Sequence, residues 1–423
     1  MKKGMKTEWK DRRCISIKKH TLQTLQLFGT KMGAMALGFL AIVVATRVLG
    51  AQGYGDFRFV ISYIALFTIF MRFGVGDSLE YLLGNNEKNE LDQEYIGAGI
   101  VLGYLLGILL GGITVLSGLI IKGNLGNLLL LCSPLATFSI LNIFIPRISV
   151  GTNKISRFST NNIAYYGIFL AIILILPMDT LKMLYAYLGS VAFSSIAILL
   201  TFKPRFTNLK QNIIKVLGLT RSYGLHVYIG NALDQSTFKV DEMFITYFVG
   251  TLYLGYYAVA FMLVSPIVEL SVAIANVRYK HFARNEEISK KLLRFNYIWM
   301  GISVVGIILF RGVLVDIFFG GEFEYSKLLM IPLAIGIFFQ GLYQPYVTYY
   351  LSRGRGKYVR NRSIYSTIVD FSTNAILTPV YGAMGTAVAT LLGRMANWIY
   401  FAYTYHIKKD HNSNSIEDLS GVK

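Results

Sequence analysis

Charged residues and cysteines are both scarce in this chain of 423 residues. Asp, Glu, Lys and Arg make up 15% of the sequence, hydrophobic residues make up 54%, and the mean hydropathy is +0.50. Ordinary soluble domains have about 25% charged residues, so this composition excludes that class and indicates a membrane protein. The two cysteines, Cys14 and Cys132, offer no disulfide framework, and we expect both to be free.

Motifs for catalysis are also missing. The five histidines are scattered without His-Glu-x-x-His spacing, and the cysteines form no Cys-x-x-Cys pair. Neither a Walker loop nor a Gly-x-Ser-x-Gly turn occurs. We therefore expect that the protein is not an enzyme and that it uses no cofactor and no metal ion.

What the sequence does contain is a series of apolar runs long enough to cross a bilayer. About 20 helical residues span the roughly 30 Å of hydrocarbon. The first twenty residues are basic and polar and lack the apolar core of a signal peptide, so the first apolar run is predicted to be a retained helix. Twelve spans are predicted, at residues 26–48, 57–76, 96–121, 125–147, 158–178, 181–202, 223–249, 252–276, 293–318, 328–351, 359–379 and 382–405.

The net charge of +18 is explained by topology. The run from Ser352 to Lys357 resembles an RNA-binding segment, but a basic loop between membrane helices is usually an orientation signal, so we expect no nucleic-acid partner. Twelve spans place both termini on one side, and most of the 41 Lys and Arg residues fall there, although the loop at 77–94 is acidic. The positive-inside rule predicts a multi-pass protein of the inner (cytoplasmic) membrane with both termini in the cytoplasm.

One pattern occurs twice, two hundred residues apart. Residues 45–60 and 245–260 each lead from an apolar helix through a Gly-x-x-x-x-Gly turn into an aromatic-rich helix. Glycine suits such a turn because it accepts positive φ and lets two helix ends approach closely. The predicted turn residues are Gly50, Gly55, Gly250 and Gly255.

Two further similarities follow in the same order at nearly the same offset, around Pro134 and Pro332 and around Pro177 and Pro379. The chain is therefore interpreted as two homologous six-helix lobes, an all-α fold produced by duplication. The predicted boundaries are a basic tail at 1–21, lobes at 22–205 and 222–407, a cytoplasmic linker at 206–221 and a C-terminal tail at 408–423.

Several cations lie inside or at the edge of the predicted spans, where ionisable residues are costly and face a bundle interior or a water-filled cavity. Arg47 either caps the last carbonyls of the first helix or binds substrate. Arg72 lies near the cytoplasmic end of its span, where it either extends to the headgroups or binds substrate. The full set is Lys31, Arg47, Arg72, Lys239, Arg311 and Arg394.

The seventh span is the most polar, and a helix of that kind cannot face lipid along its length. It contains Asp234, Lys239 and Asp241, and the eleventh span adds a polar strip with Asp370 and Asn374. Two interpretations stay open for these residues. Lys239 pairs with Asp234 or Asp241 in a structural ion pair, or the residues line a cationic, water-accessible cavity between the two halves.

Three motifs resemble one family. Residues 45–57, ATRVLGAQGYGDF, resemble the first-turn signature of the polysaccharide-export (Wzx-type) flippases. Residues 238–260 are similar to that family's second-half signature, and residues 379–390 resemble its closing Pro-x-x-Gly-x-x-Gly-x-x-x-Ala-Thr pattern. The resemblance covers nearly the whole chain.

This resemblance implies a two-lobed transporter of the multidrug/oligosaccharidyl-lipid/polysaccharide (MOP) superfamily with a MATE-like arrangement of about twelve helices. Its expected substrate is an undecaprenyl-pyrophosphate-linked oligosaccharide, moved to the outer leaflet, and its expected protein partners are a glycan polymerase and other assembly proteins. Arg47 matches a cavity arginine of related lipid II flippases, Arg72 matches a second-helix arginine loosely, and Asp241 matches the family's common seventh-helix aspartate.

Two alternatives remain. A cation-coupled drug exporter of the same superfamily would bind its coupling ion at acids such as Asp234 and Asp241. A non-transporting membrane scaffold of a glycan-assembly complex would move no lipid at all.

Overall fold

A computed structural model describes the backbone of residues 2–86, 89–154, 156–284 and 287–420. Side chains are described within these ranges except at 2–31, 89–90, 226–227, 230–231, 234, 237–238, 280, 356 and 406–420. Within the described ranges, every regular element is helical and no β-strand occurs. The all-α class predicted from the apolar runs is confirmed.

Helices follow one another with short connections. In the first part of the chain they are α1 (Lys2–Met71), α2 (Val75–Gly84), α3 (Asn89–Ile120), α4 (Asn124–Ala136), α5 (Ser139–Gly151), α6 (Ser156–Ile175), α7 (Thr180–Thr201), α8 (Leu209–Leu219) and a π turn at Thr220–Gly224. In the second part they are α9 (Leu225–Phe248), α10 (Thr251–Val264), α11 (Ile267–Val277), α12 (Tyr279–Arg284), α13 (Lys290–Phe318), a 3₁₀ turn at Gly321–Phe323, α14 (Glu324–Ser352) and α15 (Gly356–Ser420).

Seven stretches of the described chain are long and apolar enough to cross a membrane, and the bent pairs α4–α5 and α10–α11 each qualify as one span. Two of the seven stretches, 32–71 with 40 residues and 357–405 with 49 residues, are far longer than one span needs. They correspond to roughly 60 and 75 Å of helix, against about 30 Å of hydrocarbon. Each is divided by a kink, at Gly50 and at Gly382.

Helix α9 does not qualify by hydropathy because it carries four charged residues. It lies between the other spans in the chain and is 24 residues long, enough to cross the hydrocarbon. With α9 included and the two kinked stretches divided, the described part of the chain has the twelve predicted spans.

The chain forms two compact units. Unit 1 comprises Met1–Val48 and Phe70–Tyr228, and unit 2 comprises Leu49–Ile69 and Ile229–Lys423. This division differs from the predicted lobes at two places. Residues 49–69 belong by their packing to unit 2, and residues 206–228, the predicted linker and the start of the predicted second lobe, belong to unit 1. The duplication itself and the proposed lobe boundaries stay predictions.

Glycines explain why 49–69 packs within unit 2. A Cβ atom at Gly55 would lie 1.9 Å from the carbonyl oxygen of Thr251, and one at Gly255 would lie 2.6 Å from the carbonyl oxygen of Ala51. No side chain fits at these distances, so the helices approach this closely because both positions are glycine. The two copies of the duplicated pattern therefore pack directly against each other.

The first glycine of the turn in each copy lies at a backbone kink. Gly50 has φ +66° and Gly250 has φ +104°, values that side-chain-bearing residues rarely adopt. The N–H of Ala51, immediately after the first kink, donates to the Glu322 carboxylate at 3.2 Å. An acid is favourable at this position because the N-terminal end of a helix carries partial positive charge.

Helix α8 occupies the predicted linker and is attached to unit 1 by polar side chains. Asn212 donates from Nδ2 to Glu94 Oε2 at 2.9 Å, and Lys215 donates from Nζ to the Tyr95 hydroxyl at 2.8 Å. The linker is therefore an ordered helix rather than an extended tether.

Candidate functional site

A row of polar side chains runs along the first part of α15 in unit 2. Its members recur every four residues, which places them on one face of the helix, and all are at least nine-tenths buried. The row covers about 24 Å along the helix axis, most of the hydrocarbon thickness. Its members are Arg362, Ser366, Asp370, Asn374 and Thr378.

Asp241 of α9 is hydrogen-bonded to this row. Its carboxylate accepts a hydrogen bond from Asn374 Nδ2 at 2.8 Å and one from Thr390 Oγ1 at 2.9 Å. The Asp370 side chain is a further hydrogen-bond neighbour. Polar groups buried in hydrocarbon must be satisfied internally, so this network holds α9 and both parts of α15 together by their polar faces.

A cavity of about 170 Å³ lies beside the network in unit 2. Two buried arginines line it, Arg362 and Arg394, one from each part of α15. The Arg362 guanidinium lies 5.6 Å from the ring centre of Tyr343, and the Arg394 guanidinium lies 5.2 Å from that of Phe261, distances typical of cation–π contacts. The other polar lining residues are Asp241, Gln340, Gln344, Ser366, Asp370, Thr390 and Asn397.

Lys239 lies in a second charged cluster of unit 2, where Glu242 is the central acid. Arg58 binds Glu242 with two nitrogens, at 2.6 and 3.1 Å, and Lys239 Nζ lies 3.3 Å from the same carboxylate. Ser62 also donates to Glu242. Among the described side chains, the partner of Lys239 is thus Glu242 and not Asp241, while the side chain of Asp234, the other predicted partner, lies outside the described residues.

Arg72 lies in unit 1, in the turn between α1 and α2, and is only 4% exposed. The turn is tight, since Phe73 and Gly74 both have positive φ and a Cβ atom at Gly74 would lie 2.4 Å from the carbonyl oxygen of Gly224. The Arg72 guanidinium lies 5.7 Å from the ring centre of Tyr228. Its Nε–H and Nη2–H groups find no hydrogen-bond acceptor in the described part of the chain.

Two acids of the segment after Arg72 are paired with another residue. Arg147 of α5 lies 3.0 Å from the Asp77 carboxylate and 2.8 Å from that of Glu80. Two arginines and two carboxylates thus share this part of unit 1. Because Asp77 and Glu80 are paired with Arg147, they lie near the end of a span without accepting hydrogen bonds from Arg72 Nε or Nη2.

The remaining predicted residues are more dispersed. Arg47 belongs to unit 1, three residues before the Gly50 kink, and its side chain is exposed. The side chain of Asp234 lies outside the described residues. Of the predicted site, the structure brings together Arg394, Asp241 and Asp370.

Four residues of these clusters are not singled out by the sequence: Arg58, Arg147, Glu242 and Arg362. Arg362 was detectable, because it continues the four-residue spacing of Asp370 and Asn374 by two steps. Arg58 and Arg147 give no such signal, because each is recognised only by the distant acid that it binds.

The chemistry available in these clusters is recognition by charge and hydrogen bonding. Among the described residues, no group of three or more His, Cys, Asp or Glu side chains is arranged to hold a metal ion. Buried guanidinium groups bind anions such as phosphate and carboxylate through paired N–H donors. The buried carboxyl pair provides a place where an ion or a proton can be exchanged.

Solved structures with this fold are membrane transporters. The lipid II flippase MurJ, in an inward closed conformation, matches with a TM-score of 0.75 at 14% identity, covering 90% of this chain and 87% of that chain. A multidrug resistance MATE family transporter of the MOP superfamily, in its inward-facing conformation, matches with a TM-score of 0.69 at 13% identity, over 90% and 96%. A MOP superfamily transporter from Pyrococcus furiosus matches with a TM-score of 0.60 at 14% identity, over 91% and 94%.

These similarities confirm the predicted MATE-like fold. The search of curated proteins gives no match. The profile of the family described as polysaccharide biosynthesis protein matches residues 23–279, more than half of the chain and both copies of the glycine pattern. The resemblance carried by those motifs is confirmed, and this chain belongs to the polysaccharide biosynthesis protein family.

Proposed function

We propose that this protein is a flippase for an undecaprenyl-pyrophosphate-linked oligosaccharide, such as the repeat unit of an O-antigen, a capsule or a similar surface glycan. It moves this lipid from the cytoplasmic to the outer leaflet of the inner membrane, with both of its own termini in the cytoplasm. Family membership and the transporter fold support the proposal.

The observation that carries the proposal is the burial of Arg72 together with its lack of hydrogen-bond acceptors among the described residues. Arg72 lies at the end of a span, and the N–H groups without an acceptor are Nε–H and Nη2–H. A buried charged donor without acceptors is costly. An anionic ligand removes that cost, and the planar fork of arginine binds phosphate oxygens in pairs.

A pyrophosphate head needs more than one cation on its route. Carrying such an anion through hydrocarbon is prohibitive unless the route is hydrated and positively charged. We assign Arg47 of unit 1 as a second phosphate contact, and Lys239 and Arg394 of unit 2 as further cations of the route. The predicted duplication supports alternating access as the mechanism, in which the two lobes rock about a substrate site.

Asp241 and Asp370 are the proposed ion-coupling groups, with Asp234 as a third candidate. Both described carboxyl groups are at least nine-tenths buried and are hydrogen-bond neighbours. The same observation favours a second candidate function, a cation-coupled multidrug exporter of this superfamily. Acids buried within membrane spans are costly, and they typically mark ion pathways and proton relays.

The test is flipping of a fluorescent lipid-pyrophosphate oligosaccharide in proteoliposomes that contain the purified protein. Losing one partner of a buried, charged hydrogen bond costs about 2–5 kcal/mol, so Arg72→Ala should lower the initial rate by at least about 30-fold. Arg72→Lys, which keeps the charge but not the fork, should retain part of the rate. Arg311→Ala is the matched control, since Arg311 bonds its own helix at Ile308.

The alternatives give different results in the same vesicles. Unchanged flipping by a folded Arg72→Ala variant would remove Arg72 from the substrate site. Export of cationic drugs with no movement of the glycan lipid would favour the multidrug exporter. A folded wild-type protein that moves neither would favour the scaffold.

A further inference from the structure

Helix α8 lies at one end of the membrane-spanning helices of unit 1. The chain reaches it from α7 through residues 202–208 and leaves it through the π turn directly into α9. Its partners on α3, Glu94 and Tyr95, belong to the first turns of Leu91–Ile120, a stretch of 30 residues that can cross the membrane. That stretch is about 45 Å long, against roughly 30 Å of hydrocarbon, so its ends reach the lipid headgroups. Helix α8 is therefore placed at the level of the headgroups.

One face of α8 packs against unit 1 and is held there by hydrogen bonds. Asn212, Val216 and Thr220 recur every four residues on this face, and all three are buried. Asn212 donates to Glu94 at 2.9 Å, and Thr220 Oγ1 donates to Ser78 Oγ at 3.0 Å. The packing of this face fixes which side of the helix is turned outward.

The outward side carries a stripe of apolar and basic residues. Lys210, Ile214, Leu217 and Arg221 recur at spacings of four, three and four residues, which places them on one side of the helix. All four are exposed, Ile214 by 60% and Leu217 by 45%. Apolar side chains beside Lys and Arg are typical of helices that lie in the plane of the membrane interface. The basic side chains extend their charged ends to the headgroups, while the apolar ones leave water.

The charge of this segment fits an anionic surface. Residues 203–224 include five Lys and Arg residues and no Asp or Glu. Lys203, Lys210 and Arg221 are exposed, and none of them forms an ion pair with an acid whose side chain is described. Glu94, the acid beside α8, accepts a hydrogen bond from the packed face instead. Basic residues near the membrane surface are attracted by anionic lipids.

We infer that the outward stripe of α8 docks on the anionic lipid surface at this end of the spans, which is the cytoplasmic leaflet in the predicted orientation. Ile214 and Leu217 enter the boundary between headgroups and acyl chains, and Lys210 and Arg221 contact lipid phosphates. This docking does not depend on which substrate the protein moves.

The test locates α8 relative to lipid in the full-length protein, reconstituted in liposomes. Ile214→Cys in a Cys14→Ser background is labelled with the fluorophore NBD, because the remaining thiol, Cys132, is buried. Lipid with a nitroxide near its headgroup quenches NBD in the interface, and iodide quenches NBD in water. Gln211→Cys is the control, since Gln211 is exposed on the same helix but lies off the stripe.

Two lipid compositions separate apolar contact from charge. In bilayers that contain phosphatidylglycerol, nitroxide quenching should be at least about threefold stronger at position 214 than at position 211, and iodide should quench position 214 less. In phosphatidylcholine alone, or at high salt, quenching at position 214 should fall by at least about twofold, because the attraction between basic residues and anionic lipid is then absent or screened.

Charge variants assign that lipid dependence to the stripe. Lys210→Gln with Arg221→Gln should abolish the difference between the two lipids. Lys122→Gln with Lys182→Gln removes as much charge but should keep the difference. Lys122 follows the end of α3 that is remote from α8, and Lys182 lies in the first turn of α7, whose other end leads to α8. All four positions are exposed or half-buried, so the substitutions should change stability little.

Three results would overturn the inference. Equal nitroxide quenching at positions 214 and 211, with strong iodide quenching at both, would leave the stripe in water and open to a soluble protein. Equal quenching at position 214 in the two lipids would show that the helix does not select an anionic surface. A loss in the control double variant as large as that in the Lys210 and Arg221 variant would assign the effect to net charge. Since the assay involves no transport, flipping of the lipid-linked oligosaccharide stands or falls separately.

Discussion

Two buried polar contacts between helices, one in each unit, use different chemistry. In unit 1, the buried polar contact of α5, α6 and α7 is neutral: Asn161 donates to Asn142 Oδ1 at 2.7 Å, and Ser195 Oγ lies 3.4 Å from the same oxygen. In unit 2, the two parts of α15 carry the buried residues Asp370 and Arg394. These two contacts therefore differ, amides and hydroxyls in unit 1 and charges in unit 2, while the buried charges of unit 1, Arg72 and Asp77, lie near the end of a span.

This difference shows that the helices of the two units are joined by unlike polar contacts. Neutral amide and hydroxyl bonds between membrane helices contribute modestly to stability, on average about 0.6 kcal/mol. Buried charges are expensive in hydrocarbon and persist mainly where they act on substrates or ions. The mid-span charges of unit 2 are therefore the stronger functional signal, whereas the Asn161 contact needs no role beyond packing.

The largest expected effect concerns what the two copies share, the glycine contact. Gly55→Val should prevent folding, an effect above about 4 kcal/mol, because even the Cβ atom would overlap the Thr251 carbonyl. The measurement is thermal unfolding in detergent in a Cys14→Ser background, followed by a dye that reacts with the buried thiol of Cys132 once it is exposed.

The control for that variant is another helical glycine. A Cβ atom at Gly301 of α13 would meet nothing within 4 Å, so Gly301→Ala should leave stability unchanged or raise it by about 0.5–1 kcal/mol. A Gly55→Val protein as stable as the parent would show that the two copies do not pack as described.

A smaller effect is expected at the charged cluster of unit 2. Glu242→Gln removes the carboxylate that binds Arg58 and Lys239. It should lower the free energy of unfolding by about 3 kcal/mol, which is near the lower end of the range for broken buried ion pairs. The lower end is expected because both cations are partly exposed. The same thiol assay measures it.

A compensating variant sharpens that result. Arg58→Met with Lys239→Met and Glu242→Gln removes the excess charge, and replacing a buried charge cluster by neutral groups is often neutral or stabilising. We expect this triple variant to regain most of the lost stability. If it is no more stable than Glu242→Gln alone, the loss arises from packing and not from charge.

The smallest effect is expected at the neutral contact of unit 1. Asn161→Ala removes the donor to Asn142 and should cost about 1–2 kcal/mol, measured as the shift in the unfolding transition. Asn142→Leu combined with Asn161→Leu removes both partners and should cost less than the single variant. A cost at Asn161 as large as that at Glu242 would contradict the contrast between neutral and charged contacts.

Much of the fold could be predicted from the sequence because membrane spans are long and locally encoded. The kinks at Gly50 and Gly250 were visible because positive φ requires glycine. Asp241, Asp370 and Arg394 stood out because charge inside an apolar span is rare. The pairing of Lys239 was not predictable, since several acids on its helix lie at plausible spacing and Glu242 was selected by its contacts with Arg58 and Ser62.

By itself, the sequence determined the all-helical membrane fold, the span count and the family, since apolar run length and glycine spacing are local properties of the chain. The tertiary structure decided which charges meet. It placed residues 49–69 in unit 2 through the Gly55–Thr251 contact, and it paired Asp77 and Glu80 with Arg147. Such pairings join residues far apart in the chain, and their energies depend on distance and burial, which only the folded protein fixes.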